Sequence, residues 1–311
     1  MQRADAAAAE PATAQVQRYR GRFAPTPSGP LHFGSIVAAL GSCLDARARG
    51  GEWHVRIDDL DPPRVVPGAE RDILHCLEAL GFEWDGALVR QSARRDAYHA
   101  ALHRLRLRAL VYPCYCSRRR IAESARPGVD GPVYPGTCRQ GMACDTPARA
   151  LRALTAAARV RFDDRVLGPQ QRDLEREAGD FVLYRADGVY AFHLAAAVDD
   201  AACGMTDIVR GADLLESSAR QVWLLQQLGL PVPRYAHLPL ALDANGQKLS
   251  KQTRAAPVDP AHPAWLLLRA LRFLGQVPAP ELERAEAREI WRWAVQNWDL
   301  ARVPRIGQVV E

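Results

Sequence analysis

An α/β fold built on a parallel sheet is what this 311-residue chain predicts, and three observations carry that prediction. Short alternating strands lead into Gly/Pro turns and then amphipathic helices, first near the N-terminus and again after residue 200. The residues best suited to chemistry sit just beyond the ends of those strands, where open parallel sheets bind ligands. The hydrophobic (48%) and charged (25%) fractions are those of an ordinary globular protein with a sizeable core.

The first strand, Arg20–Pro25, runs into the stiff turn Pro25-Thr-Pro-Ser-Gly-Pro30. A helix follows, with Ser35 as its expected N-cap and Ile36, Leu40, Cys43, Leu44 and Arg47 at helical spacing. Gly50-Gly51 ends it. Trp53, Val55 and Ile57 alternate as a strand that delivers Asp58, Asp59 and Asp61 at its carboxyl end. Helices are predicted over 69–80 and 94–109. Strands are predicted at Arg159–Phe162 and in a hairpin Phe181–Phe192 around Asp187-Gly188. A helix at 194–203, a strand ending at Val209-Arg210, a helix at 213–229 and a strand His237–Leu242 continue the alternation. Two amphipathic helices, 263–275 and 281–297, close the chain, and their Trp291, Trp293 and Trp298 read as packing residues.

Several classes are disfavoured by composition. No apolar run approaches the ~20 residues that span a bilayer. Residues 1–17 are rich in Ala but carry Arg3, Asp5 and Glu10, so they read as a disordered tail on a cytoplasmic protein rather than a signal peptide. Seven cysteines, an odd number, argue for reduced thiols. The net charge of +5 suits a polyanionic partner such as RNA without requiring one.

The basic residues are unevenly chosen. Of 41, only Lys248 and Lys251 are lysine, three apart in Lys248-Leu-Ser-Lys251. A compact ammonium on a flexible stem follows a moving phosphate in a way that the planar fork of Arg does not. The turn leading to His32-Phe-Gly-Ser35 is its natural complement. The free N–H groups of a helix start favour an anion, Gly34 admits a nucleotide close to the backbone, and His32 can donate to a phosphate oxygen.

Taken together, Arg22-Phe-Ala-Pro-Thr-Pro-Ser-Gly29, His32-Phe-Gly-Ser35, Arg56-Ile-Asp-Asp59, Val209-Arg-Gly-Ala-Asp-Leu214 and Lys248-Leu-Ser-Lys251 resemble the catalytic core of class I glutamyl-tRNA synthetases. The resemblance spans about residues 20–255 in the family's order. It implies a Rossmann-type parallel sheet of class I aminoacyl-tRNA synthetases, with a zinc-bearing insertion and a short helical C-terminal region. The boundaries expected are a tail at 1–17, a catalytic domain at 18–112 and 148–256, a zinc-binding insertion at 113–147 and the helical region at 257–311. ATP with Mg²⁺ on its phosphates would be held by His32, Gly34, Ser35, Lys248, Leu249, Ser250 and Lys251. His32, Lys248 and Lys251 would be the catalytic groups, stabilising charge as glutamate's carboxylate attacks the α-phosphate. The glutamate pocket would comprise Arg22, Phe23, Ala24, Pro25, Thr26, Asp58, Phe192 and Arg210. Asp58 stands where the family usually has Glu, and Phe192 where it usually has Tyr, so one hydroxyl is lost.

Two finer expectations rest on the same resemblance. Only 60 residues follow Lys251, too few for the family's anticodon-reading domain. A truncated branch fits better, one that activates L-glutamate without tRNA and esterifies it to the queuosine base of tRNA(Asp). A fragmentary synthetase charging a tRNA 3′ end, a generic adenylyltransferase and an inactive RNA-binding paralogue are the alternatives. The second expectation is one structural Zn²⁺ on the thiolates of Cys114, Cys116 and Cys138. The resemblance implies Tyr134 as the fourth ligand, and Cys144 competes on chemistry alone. A monomer is expected.

Overall fold

The computed structural model describes residues 18–128, 131–141, 148–243, 246, 256–305 and 308–309. The alternation read from the sequence becomes β1 (Arg20–Phe23), α1 (Phe33–Arg47), β2 (Glu52–Ile57), α2 (Ala69–Ala79), β3 (Val89–Arg90) and α3 (Arg95–Leu107). After an intervening region come β4 (Arg159–Asp164), β5 (Gly168–Asp173), α4 (Phe192–Ala202), β6 (Asp207–Gly211), α5 (Leu215–Leu228) and β7 (Arg234–Leu238). Helices α6 (Pro263–Phe273) and α7 (Ala287–Asn297) follow.

Strands β1, β2 and β3 pair in parallel, with Arg22 opposite His54 and Arg56 opposite Val89. Strands β6 and β7 are parallel, and β7 meets β4 in parallel at Tyr235–Asp164. Edge strand β5 runs antiparallel to β4. The two groups abut where β6 lies beside β1, the N–H of Thr206 donating to the Arg20 carbonyl at 2.9 Å. This is the α/β arrangement with a parallel sheet that the sequence implied. It brings the carboxyl ends of β1, β2, β6 and β7 to one edge.

Helix α1 is buried along most of its length, with Ile36, Leu40 and Leu44 at most 1% exposed. The sheet covers one side of it and α6 another, where Phe33 and Phe273 meet edge to face at 5.6 Å. Trp291 of α7 packs edge-on against Phe82 at 4.9 Å and donates its indole N–H to the Leu80 carbonyl at 2.9 Å. The C-terminal helices thus complete the core around α1, and the tryptophans serve packing.

Val111–Cys114 and Ala150–Ala153, between α3 and β4, form a smaller antiparallel sheet with Val182–Arg185, which follows β5. A short helix, Arg118–Ser124, and a hairpin of Arg126–Gly128 with Gly131–Val133 lie alongside. Among the described residues no helix is long and apolar enough to cross a membrane.

Five local readings change, one of them at the helix expected over 281–297, which starts only at Ala287 because Glu286 caps it in a capping box with Glu289. The N-cap of α1 is His32 rather than Ser35, because the ring Nδ1 accepts the Ser35 N–H at 3.3 Å. Phe192 opens α4 instead of closing a hairpin strand. The strand expected over His237–Leu242 divides: β7 spans Arg234–Leu238, Pro239 has no N–H to continue the ladder, and a two-residue strand, Ala241–Leu242, follows and pairs with Gln308–Val309. Strand β5 was not expected, its sequence Gly-Pro-Gln-Gln-Arg-Asp being too polar to look like a strand.

Candidate active site

A cleft of about 500 Å³ opens at the carboxyl edge of the sheet. Its wall includes Arg22, Phe23, Ala24, Pro25 and Thr26 from the end of β1, with Asp58 just past β2 and Arg210 in β6. His32, Gly34 and Ser35 line it from the start of α1, and Phe192, 36% exposed, from the start of α4. Residues scattered over nearly two hundred positions therefore meet at one place. The expected positions of Lys248, Leu249, Ser250 and Lys251 lie outside the described residues. The chain on either side borders the cleft: Ala241 is in its wall, and Pro257 forms an isolated bridge with His32.

His32 does two things at the helix start. Its Nδ1 accepts from the backbone, so the neutral ring carries its proton on Nε2 and can donate there. Gly34 makes the fold-back possible, because a Cβ at that position would sit 3.3 Å from the His32 ring.

The two arginines of the predicted pocket differ sharply. Arg22 is buried and turns its Nε–Nη2 edge to Asp200, at 3.0 and 3.1 Å. The bidentate grip expected for a substrate carboxylate is thus directed at a carboxylate of the protein. Asp200 also accepts from Arg56 at 2.6 Å, and Arg56 reaches Asp58 at 2.7 Å. Burial alone would raise the Asp200 carboxyl, but Arg22 and Arg56 hold it down at about 2. Burial pushes the Asp58 carboxyl above its ordinary value, with Arg56 opposing. Next door, Asp199 accepts from Gln91 at 3.0 Å, Tyr98 at 2.7 Å and Arg94 at 2.5 Å.

Arg210 is equally buried, at 5% exposure, yet among the described residues no carboxylate pairs with it. Its Nη2 donates to Ser218 Oγ and Gln221 Oε1, both at 2.7 Å, and Nε points to His237 Nε2 at 3.4 Å. Nη1 has no partner. Burial, with the like charge of Arg22 nearby, pulls its pKa down to about 10. A buried cation that no carboxylate among the described residues contacts is costly to keep, which favours an anion beside it.

Sequence reasoning missed Asp199, Asp200, Ser218, Gln221 and His237. Only the first two left a trace, as adjacent carboxylates inside the apolar run Ala195-Ala-Ala-Val-Asp-Asp-Ala-Ala202.

A second cluster lies in the smaller sheet region. Cys114, Cys116 and Cys138 are buried and place their sulfurs within 4.8 Å of one another. Tyr134 Oη is 3.4 Å from Cys114 Sγ and 3.6 Å from Cys116 Sγ, and Cys116 and Cys138 sulfurs are 3.7 Å apart. A tetrahedral zinc with ordinary bond lengths has S···S edges of about 3.8 Å and S···O edges of about 3.5 Å. The donor set fits that ion. Cys144 lies outside the described residues.

Comparison with known proteins agrees with this geometry. The family model for the catalytic domain of class I tRNA synthetases for Glu and Gln matches residues 18–290. A glutamyl-Q tRNA(Asp) synthetase from Aromatoleum aromaticum is 57% identical over 287 residues, 92% of this chain and 91% of that protein. Its counterpart from Pseudomonas aeruginosa is 51% identical over 293 residues, 94% and 98% of the two chains. Among solved structures, a glutamate-tRNA synthetase from Elizabethkingia anophelis superimposes with a TM-score of 0.76 at 27% identity, covering 95% of this chain and 68% of that one. A glutamate tRNA ligase from Elizabethkingia meningosepticum, in complex with its amino acid, gives 0.75 at 26%, covering 94% and 67%. The chain belongs to the class I tRNA synthetase family for glutamate and glutamine, and within it to the glutamyl-Q tRNA(Asp) synthetases, which are aminoacyl-tRNA synthetase-like ligases.

Proposed function

We propose that this chain activates L-glutamate with ATP and passes it to the queuosine base of tRNA(Asp), with no tRNA needed for activation. The observation that carries the reading is Arg210, a buried guanidinium in the wall of the cleft whose Nη1 has no hydrogen-bond partner. Glutamate has two carboxylates, and the reacting one must stay free to attack phosphorus. The one bound by Arg210 is therefore the side-chain carboxylate. Asp58 takes the α-ammonium, one methylene shorter than a Glu would be. Phe192 closes the pocket by packing alone.

ATP lies against the start of α1, its phosphates near the free N–H groups and its backbone approach allowed by Gly34. The α-carboxylate oxygen of glutamate attacks the α-phosphorus, the bond to the bridging oxygen breaks, and pyrophosphate leaves with glutamyl-adenylate behind. His32 donates from Nε2 to the phosphate oxygen on which charge builds, and Lys248 and Lys251 follow the departing pyrophosphate. Mg²⁺, bound with the nucleotide, would supply further charge neutralisation. A hydroxyl of the modified base then attacks the acyl carbon, the bond from that carbon to the phosphate oxygen breaks, and AMP leaves with the hydroxyl's proton taken up by its phosphate.

The test is glutamate-driven exchange of labelled pyrophosphate into ATP without tRNA, followed by glutamate transfer to tRNA(Asp) with and without queuosine. Exchange, with transfer only to the queuosine-bearing tRNA, is expected. Equal transfer to both forms would point to the 3′ end instead, and no exchange with any amino acid would remove the enzyme reading.

Cys114, Cys116, Tyr134 and Cys138 hold one structural zinc, since four protein ligands leave no position for substrate. Cys138→Ser is expected to take the zinc content from one ion per chain to less than a third of that. Unchanged metal content by atomic emission would remove the ligand set. Tyr134→Phe loses zinc if the phenol is the fourth ligand and retains it if Cys144 is.

A further inference from the structure

Behind Arg210 runs a file of buried polar groups that no substrate reaches. Asp164 ends β4, and its Oδ1 accepts backbone N–H groups of Val166, Leu167 and His237 at 3.0, 2.8 and 3.2 Å. Its Oδ2 lies 2.6 Å from Nδ1 of His237. Serving that carboxylate puts the imidazole proton on Nδ1, so Nε2 of the neutral ring is left as an acceptor. Arg210 Nε donates to it at 3.4 Å, and Ser218 Oγ lies 2.8 Å away, its hydroxyl also directed to the Leu214 carbonyl at 3.1 Å. Ser218 Oγ in turn accepts from Arg210 Nη2 at 2.7 Å.

An Asp–His–Ser file invites comparison with a hydrolytic triad, and burial rules that out. Ser218 and His237 are 0% exposed and Asp164 is 3% exposed, so no acyl carbon can approach Ser218 Oγ. The file terminates instead on the guanidinium of Arg210, a residue of the cleft wall whose remaining nitrogen, Nη1, has no hydrogen-bond partner. Its direction of hydrogen bonding is fixed at the far end. A proton on Nε2 would face the Arg210 Nε–H and turn that contact repulsive.

We infer that Asp164, His237 and Ser218 are positioning residues for the amino-acid pocket: they lock the Nδ1–H tautomer of His237, which aims Arg210 at the side-chain carboxylate of glutamate. This rests on the glutamate reading of Arg210. Asp164→Asn presents an amide to Nδ1 and drives the proton to Nε2. Ser218→Ala removes the bridge to Nη2 with little change of volume.

Each variant is expected to raise the KM for glutamate in the exchange reaction about 10-fold while leaving the KM for ATP within twofold. The preference for glutamate over glutamine in kcat/KM falls by a similar factor, a change that general loosening does not produce. Wild-type exchange is measured first, because its absence removes the glutamate reading itself. With an active wild type, an unchanged KM for glutamate in Ser218→Ala, or equal rises for glutamate and ATP, overturns the positioning role. Asp164 also closes the turn at 165–167, so Ser218→Ala decides the matter if Asp164→Asn does not fold.

Discussion

Arg210→Met is expected to lower kcat/KM for glutamate by about 10³-fold, the largest effect of any single change in the pocket. Removing one member of a buried, hydrogen-bonded charge pair costs about 2–5 kcal/mol, and each 1.4 kcal/mol is about tenfold. Met preserves length and apolar volume, so the pocket keeps its shape while the bound carboxylate loses a buried cation of the cleft wall that no carboxylate among the described residues contacts. Arg22 cannot replace it, because Asp200 holds its Nε–Nη2 edge. Steady-state exchange with glutamate and with glutamine checks this. Glutamine, neutral at that end, loses much less, and the enzyme ceases to discriminate. A fall below tenfold for glutamate would move the carboxylate site elsewhere in the cleft. Arg210→Lys keeps the charge without the fork and lands between the two.

That prediction could be framed only once the structure was known, although Arg210 itself was legible in the sequence. The run Val209-Arg-Gly-Ala-Asp-Leu214 marks a strand end, and strand ends gather at one edge of a parallel sheet, so the place of Arg210 followed from local pattern. Its state did not. Whether a buried arginine has a counter-ion depends on contacts across long separations: Arg22 meets Asp200 178 positions away, and His237 meets Asp164 73 positions away. Periodicity carries no record of such pairings. The same limit explains why two arginines were assigned like roles when one is neutralised and the other is not. The sheet was legible where Trp53, Val55 and Ile57 alternate in β2 and where short apolar runs end in turns at β1 and β6, both buried almost throughout, whereas β5 is a polar edge strand held by pairing with β4. At α1 the helix was found but its cap was not. Ser35 is the commoner cap type, and only the fold-back of the His32 ring past Gly34 shows that an imidazole has taken the role.

That double duty of His32 makes the second large effect separable from mere loss of stability. His32→Ala is expected to reduce kcat in glutamate-driven exchange by about 10²- to 10³-fold, the usual result of deleting one preorganised donor to a transition-state oxygen. The KM for glutamate stays within threefold, because the ring does not touch the carboxylate end of the pocket. The same substitution removes the cap, which costs about 0.5–2 kcal/mol and lowers the midpoint of thermal unfolding. His32→Asn divides the two roles. Its short amide is a good N-cap and restores the unfolding midpoint, but it cannot reach as far into the cleft as the imidazole Nε2, so kcat stays depressed. If His32→Asn recovers activity together with stability, the imidazole is a cap and nothing more. If stability returns and turnover does not, the proton on Nε2 is the group that meets the phosphate.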